Sequence, residues 1–449
     1  MAERRKVIVL DDDPTGSQTV HSAPLLLRWD QATLRRGLQH PSPLMFVLAN
    51  TRALEPEEAA ARVREICQAL QPLLEEALAT ATLDRWLIVS RGDSTLRGHF
   101  PLEVETIAAE LGPFAATLLA PAFLPGGRTT VDGVHYLHGE PVHTTAFARD
   151  RLFGFTTSHL PTWVEQKTAG RLRADQVRHI DLALLSGAAA PLQAMLSGLG
   201  NGQLAVVDAE HPEQLAALGA AVWSLPERVL FQSAASAING LVPLPEQPHD
   251  AASLAALRRR DGQGQPLPTL VMVGSHVPLA DAQLKALLAQ PGCWGLELPA
   301  AKLERVFEGP APQPLLASLE QGWLAQLRAC LSTGRTPVLF TSRGELPLVS
   351  PARRRRFGVA LAAVMARLAA ALAPELGLII SKGGTTTQTL LADGLALNWV
   401  ELQGQLLPGL SLVLTPADAR IPRLPVITFP GNLGDAGTLR EAWELMMQG

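Results

Sequence analysis

The strongest constraint on this fold is a rhythm. Short runs rich in Val, Ile and Leu alternate with longer Ala/Leu/Arg segments of helical period. Runs at 6–10, 44–48, 86–89 and 204–207 have strand length, and segments such as 55–79 and 101–111 between them repeat their apolar residues every three or four positions. Parallel strands need a long crossover, which a helix supplies, so the alternation predicts an α/β chain with mostly parallel sheets flanked by helices. The rhythm breaks where LVPLPEQPHDAASLAALRRRDGQGQPLP mixes Pro and Gly with charge, and it resumes at 270–273, 338–340, 376–380, 410–414 and 426–429. Two domains are expected, 1–242 and 269–449, joined by a linker at 243–268.

Charge and cysteine usage exclude several functions. Lys plus Arg at 38 against Asp plus Glu at 42 gives a net charge of -4, which offers no general attraction to nucleic acid or an anionic membrane. An anionic ligand must therefore be met by a local site. Cys67, Cys293 and Cys330 are odd in number and widely spaced, which fits neither a disulfide framework nor a zinc site and suggests a reducing compartment. The apolar run before Asp11 is too short for a signal segment, and no run approaches the ~18 apolar residues of a membrane span. A cytoplasmic location, with no membrane or nucleic-acid partner, is expected.

Helix starts are marked by Glu55 and Pro56, with acids in the first turn, and by Ser350 with Pro351, ahead of an Ala-rich helix at 351–373. Arg353–Arg356 fall on the first turn of that second helix, where cations oppose the dipole; they form either a solvated face or a site beside a bound phosphate.

Five segments could carry chemistry. VIVLDDDPTGSQT runs from a strand into Asp11, Asp12 and Asp13 and then a turn. Side chains at the carboxyl end of such a strand reach the crevice where ligands bind, and three adjacent acids repel unless a metal or a hydroxyl relieves them. Asp11, Asp13 and Thr15 spell the D-x-D-x-T of haloacid-dehalogenase-type phosphatases, while Asp12, Asp13, Thr15 and Gly16 spell D-D-x-T-G. In SRGDSTLRGHFPLE, Arg97 suits a carboxylate, and Asp93, Ser94 and Thr95 suit the hydroxyls of a small polyhydroxy acid. IISKGGTTTQTLLADG reads as strand, Lys-Gly-Gly loop and helix start; its backbone and threonines can cradle a phosphate while Lys382 neutralises charge. ITFPGNLGDAGTL repeats that design, and VMVGSHVPLADAQL adds a strand end at Gly274 and Ser275. Two such glycine loops in one domain support a nucleotide. His135, His138 and His143 have a spacing that suits neither a helix face nor alternate strand positions, and they read as loop or surface residues rather than metal ligands.

In this order the segments resemble the four-carbon acid sugar kinase family, the ATP-dependent kinases of erythronate, threonate and 3-oxo-tetronate. The likeness runs through DDPTGSQT, NTRALEPEEAAARVR, DSTLRG, APAFLPGGRTTVDGVHYLHGEPV, VDAEHPEQL, VGSHVPLADAQL, SKGGTTTQTL, GQLLPGLSLVL and PGNLGD. The resemblance implies an N-terminal domain for the acid sugar, a C-terminal domain for ATP, and an active site in the interdomain cleft. It implies a sugar site of Asp12, Asp13, Asp93, Ser94 and Arg97, with Thr95 beside them, and Asp12 or Asp13 as general base. It places Ser275, Gly383, Gly384, Thr386 and Gly431 at the nucleotide, with Lys382, Thr385 and Asn432 in the same loops. The chain departs from the family's usual pattern at Ser90-Arg91-Gly92, Thr385 and Phe429-Pro430, where a Lys, an acid and a Lys-Ser pair are usual. ATP and Mg²⁺ are the implied cofactors, with a small sugar acid as partner; metal ligands stay unidentified and a homodimer stays open. Two alternatives remain: a Mg²⁺-dependent phosphatase with Asp11 as nucleophile and Asp13 as acid/base, and a nucleotide- or sugar-acid-binding regulator without catalysis.

Overall fold

The computed structural model describes residues 3–14, 16–17, 19–344 and 351–448. It divides into two compact units, Met1–Glu246 and Gln247–Gly449. The first contains β1 (Arg5–Asp11), β2 (Ala23–Leu26), β3 (Leu44–Leu48), β4 (Arg85–Arg91), β5 (Ala116–Ala120), β6 (Arg128–Val131), β7 (Val134–Leu137), β8 (Glu140–Pro141), β9 (Arg178–Ile180), β10 (Gln203–Val207) and β11 (Leu230–Ser233). Its main sheet runs β2-β3-β1-β4-β11-β5-β10-β9, with every described neighbouring pair parallel. Strands such as β3 are buried at every position, because a parallel sheet is covered on both faces. β6, β7 and β8 form a small antiparallel sheet, bridged to the main unit between Thr130 and Ala209.

The second unit contains β12 (Thr269–Val273), β13 (Cys293–Leu298), β14 (Thr336–Thr341), β15 (Leu378–Lys382), β16 (Trp399–Leu407), β17 (Leu410–Leu414) and β18 (Pro425–Phe429). Their order is β13-β14-β12-β15-β18-β17-β16; pairs up to β18 are parallel, while β17 and β16 join antiparallel. β16 alternates half-buried and buried residues, as an antiparallel strand with one open face should.

Both sheets repeat one topological device. From β1 the chain lays β2 and β3 on one side and then β4 on the other; from β12 it lays β13 and β14 on one side and then β15 on the other. The loops after β1 and β4, and after β12 and β15, therefore diverge and leave a crevice at the strands' carboxyl ends.

The expected strands all form; three keep the length of their apolar runs and the other six are one to three residues longer. The 55–79 helix is Pro56–Ala79; Glu55 caps it in a capping box with Glu58, and Pro56 stands in the first turn. The Ala-rich helix is Pro351–Leu372, while its expected cap Ser350, like Thr15, lies outside the described residues. Residues 247–268, read as linker, are packed on the second unit. They contain the helix Ala251–Ala255, whose Leu254 and Ala255 belong to that unit's core, and Arg259 donates to the carbonyls of Ala373 and Leu376 at 3.1 and 2.9 Å. Of the Arg353–Arg356 run, Arg354, Arg355 and Arg356 are exposed, as a solvated face should be, while the half-exposed Arg353 reaches Glu304 at 3.1 Å and also pairs with Glu308, both on the helix Ala300–Glu308. Arg353–Glu375 is long and apolar enough to cross a membrane, at a mean hydropathy of 1.8, contrary to the sequence reading; half of its apolar window is buried within the protein.

Candidate functional site

The crevice of the first unit opens where β1 and β4 end. Asp12 N–H donates to the Arg91 carbonyl at 3.2 Å, which ties the two strand ends together. The three consecutive acids have different surroundings. Asp12 is buried and clamped by Arg52, whose Nε and Nη2 donate to its two oxygens at 2.9 and 2.6 Å, with Arg91 Nη1 at 3.5 Å. Asp13 lies 3.5 Å from Arg52 Nη1, and its side chain is 27% exposed against 3% for Asp12. Asp11 is sealed. Gly16 lies so close over it that an added Cβ would fall 1.9 Å from Asp11 Oδ1, and Oδ2 has no hydrogen-bond partner among the described residues. Burial pushes the Asp11 carboxyl up to about 7, against the opposing charge of Arg91 and with help from Asp12 and Asp13. A carboxyl enclosed in this way cannot attack a phosphoryl group unless the turn moves, so the D-x-D-x-T reading loses its nucleophile.

The loop after β4 folds onto itself. Asp93 accepts from Arg97 Nε at 2.7 Å and from the Thr95 hydroxyl, and Arg97 stacks over Phe147 with its guanidinium 4.8 Å from the ring centroid. Burial opposes ionisation of Asp93, yet Arg52 and Arg97 hold its carboxyl below the usual carboxylate range. Ser94, Thr95 and Arg97 were expected to face a ligand directly. The structure instead turns Thr95, only 1% exposed, onto Asp93, and the hydrogen bonds of Arg97 there use Nε alone. Ser94 is buried, and its carbonyl accepts from His135 Nε2 at 2.8 Å. That bond puts the His135 proton on Nε2, so Nδ1 accepts the Thr130 hydroxyl at 2.9 Å. His135, expected in a loop or at the surface, is fully buried on β7, and burial lowers it to about 4. It is a brace for the loop. No group of three or more His, Cys, Asp or Glu that could hold a metal occurs among the described residues.

Three participants escaped sequence reading. Arg52 binds acids 40 positions away, and nothing local marks it. Glu103 lies buried beneath the site, takes hydrogen bonds from Thr51 and from Ser90 at 3.4 Å, and is pushed up to about 7 by burial and by the nearby Asp12. Arg91 looked like a strand residue, yet it lies 3.5 and 3.6 Å from Asp12 and Asp11.

In the second unit the loops after β12, β15 and β18 meet at the other crevice. An added Cβ at Gly274 would fall 2.0 Å from Thr386 Oγ1, one at Gly383 would fall 3.1 Å from Ser275 N, and one at Gly431 would fall 2.8 Å from Ser275 Oγ. Gly383 also has φ +118, which favours glycine. Ser275, Gly383, Thr386 and Gly431 are thus gathered in one place. Gly384 opens the helix Gly384–Thr389, and Thr385 and Asn432 are exposed beside these loops. Lys382 differs from expectation. It is fully buried, its Nζ donates to the carbonyls of Pro430 and Gly431 at 2.9 and 3.2 Å, and burial lowers it to about 7. As placed, it braces the 430–431 loop rather than offering charge to a ligand. Gln283 does the same from the helix Pro278–Leu288, donating to Leu433 and Asp435 carbonyls at 2.9 and 2.6 Å. Arg343, also missed in the sequence, donates to the Ser275 carbonyl at 2.5 Å and pairs with Asp281, while its Nη1 has no partner among the described residues.

Comparison with known proteins agrees with this division. Residues 7–241 match the family model of a sugar-binding N-terminal domain, and residues 270–439 match that of a nucleotide-binding C-terminal domain. The chain is 27% identical over 409 residues to a D-threonate kinase of Cupriavidus necator, covering 89% of this chain and 86% of the relative. It is 25% identical over 456 residues to a D-erythronate kinase of Heliobacterium modesticaldum, covering 96% and 94%. A solved structure from Haemophilus influenzae shares the fold at a TM-score of 0.61 and 16% identity, covering 98% of this chain and 100% of that one.

Proposed function

We propose ATP and a four-carbon sugar acid of the erythronate, threonate or 3-oxo-tetronate type as the substrates of this chain, which belongs to the four-carbon acid sugar kinase family. It is a phosphotransferase acting on a hydroxyl group. The observation that carries the assignment of substrates to sites is the doubled switch point. One crevice is lined by Asp12, Asp13, Asp93 and three arginines, which suits an anionic polyol; the other is made of glycines and hydroxyls packed closely enough for backbone N–H groups to meet phosphates.

In this reading Arg52 holds Asp12 in place and leaves Asp13, the more open carboxylate, to take the proton of the acceptor hydroxyl as it attacks the γ-phosphorus. Arg97 keeps guanidinium nitrogens beyond its Nε for the substrate carboxylate, and His135 and Thr95 fix the loop that presents it. On the nucleotide side Arg343, whose Nη1 has no partner among the described residues, is a better-placed cation than the braced Lys382. Mg²⁺ commonly keeps waters and binds through phosphates with one or two carboxylates, so it needs no preformed protein cage. It would neutralise charge on the nucleotide phosphates, and no residue is assigned to hold it.

The test is ADP formation with ATP and Mg²⁺ against a panel of four-carbon acids. Acid-dependent ADP is the expected result. Phosphate release from a phosphorylated acid without ATP would restore the phosphatase reading, and ligand-dependent melting shifts with no turnover would leave a binding protein.

A further inference from the structure

Beside the Asp93–Arg97 loop lies a small cavity that the mechanism above does not use. It has a volume of about 20 Å³, room for one water-sized group. Three of its lining residues bring buried polar atoms that have no partner among the described residues: Trp163 Nε1, Gln232 Oε1 and Ser233 Oγ. Indole N–H only donates, an amide oxygen only accepts, and a hydroxyl does either. This is the complement of a single hydroxyl, which can donate to Gln232 while accepting from Trp163 and Ser233.

The placement follows from the sheet. β11 lies between β4 and β5, with Gln232 in register with Ser90 and Ser233 with Arg91. Both residues therefore stand level with the start of the loop that carries Asp93 and Arg97, which also line the cavity. The Gly92 N–H donates to the Ser233 carbonyl at 2.9 Å, and a Cβ at Gly92 would fall 2.6 Å from Gln232 Nε2, so only glycine there leaves Gln232 its position. Phe100 and Leu119 supply apolar wall, and Glu103 completes the polar part of the lining beside Asp93 and Arg97.

We infer that this pocket reads one hydroxyl of the acid substrate and that Trp163, Gln232 and Ser233 determine specificity at that site. The inference rests on the sugar-acid kinase reading. A buried site built to bond a hydroxyl rejects an analogue that lacks it, because its polar atoms are left unpaired.

The experiment uses the full-length chain, Ser233→Ala and Trp163→Phe, each checked by circular dichroism. Each protein is given the best four-carbon acid together with its 2-deoxy and 3-deoxy analogues. Affinity is read as KM where a compound is phosphorylated and as an inhibition constant where it is not. The native protein should bind one analogue at least about tenfold more weakly than the parent acid. Both variants should weaken the parent acid about tenfold, leave that analogue and the nucleotide KM nearly unchanged, and so narrow the discrimination. Equal losses on parent and analogues, or a lower melting temperature with native discrimination, would show that the cavity holds a structural water and would overturn the inference. Absence of acid-dependent ADP formation by the native protein is a separate result, which removes the kinase reading and this inference with it.

Discussion

At the scale of residues, three identical side chains in a row have been given three environments. Asp12 is held by Arg52, Asp13 is left the most open, and Asp11 is enclosed. Asp13→Asn should therefore cost about 10²–10⁴ in kcat with little change in KM, measured as ADP formation. Asp12→Asn frees Arg52 and should act mainly on the KM of the acid; the reverse pattern would exchange their roles. Asp11 makes a stability prediction instead. Its carboxyl titrates near 7 in the folded chain against an ordinary 3.8, so between those values the folded state keeps a proton that the unfolded state has released. Stability then falls as pH rises through that window. Glu103, raised to about 7, acts in the same direction. His135, lowered to about 4 from 6.5, opposes them, because between those values only the unfolded state takes its proton. A comparison isolates the Asp11 contribution: in urea melts at pH 5 and pH 8, the native chain should lose more stability on going to pH 8 than Asp11→Asn does. Parallel profiles would remove Asp11 from the account.

Elements position these residues by close approach more than by bonding. The strand ends of the second unit meet where Gly274 faces Thr386 and Gly383 faces Ser275, and a methyl group at Gly274 has no room. Gly274→Ala should raise the nucleotide KM at least about tenfold, an effect of ~1.4 kcal/mol or more, and leave the KM of the acid unchanged. Lys382→Met separates two roles for one cation. Removal of a buried donor to two carbonyls should cost about 1–3 kcal/mol in denaturant unfolding and raise the nucleotide KM, with kcat little altered. A large loss of kcat at unchanged stability would return Lys382 to the phosphates.

For the whole molecule, the boundary between the two units decides where the chain can be cut. Leu254 and Ala255 are part of the second unit's core, and Gln247 exchanges hydrogen bonds with the backbone of Gln405 at 2.6 and 3.1 Å. A fragment of residues 247–449 should fold and gain thermal stability from ATP, up to about 2.7 kcal/mol at a hundredfold excess over Kd. A fragment starting at 265 lacks the Ala251–Ala255 helix and should melt lower. Equal melting temperatures for the two fragments would show that residues 247–264 contribute nothing to the unit, and a shift with ATP only in a 1–246 fragment would reverse the assignment of the sites.

The alternation of apolar runs with helical segments by itself determined the α/β class and the parallel sheets, because strand length and helical period are local properties of the chain. It also located the strand ends at Asp11–Asp13, Asp93, Ser275, Lys382 and Gly431, since chemistry at the carboxyl end of a buried strand is visible wherever an apolar run stops at polar or glycine residues. What those side chains do was decided by tertiary structure. Arg52 reaches Asp12 across 40 residues, Gly16 seals Asp11, the carbonyls of Pro430 and Gly431 capture Lys382, and His135 turns inward to hold Ser94. Each of these depends on a partner distant in sequence or on how far a side chain is withdrawn from water, and neither is written in the spacing of a motif. The residues around the small cavity show the same limit: Trp163 comes from the helix Leu160–Lys167 and Gln232 and Ser233 from β11, and only packing brings their polar atoms, without partners among the described residues, to one cavity.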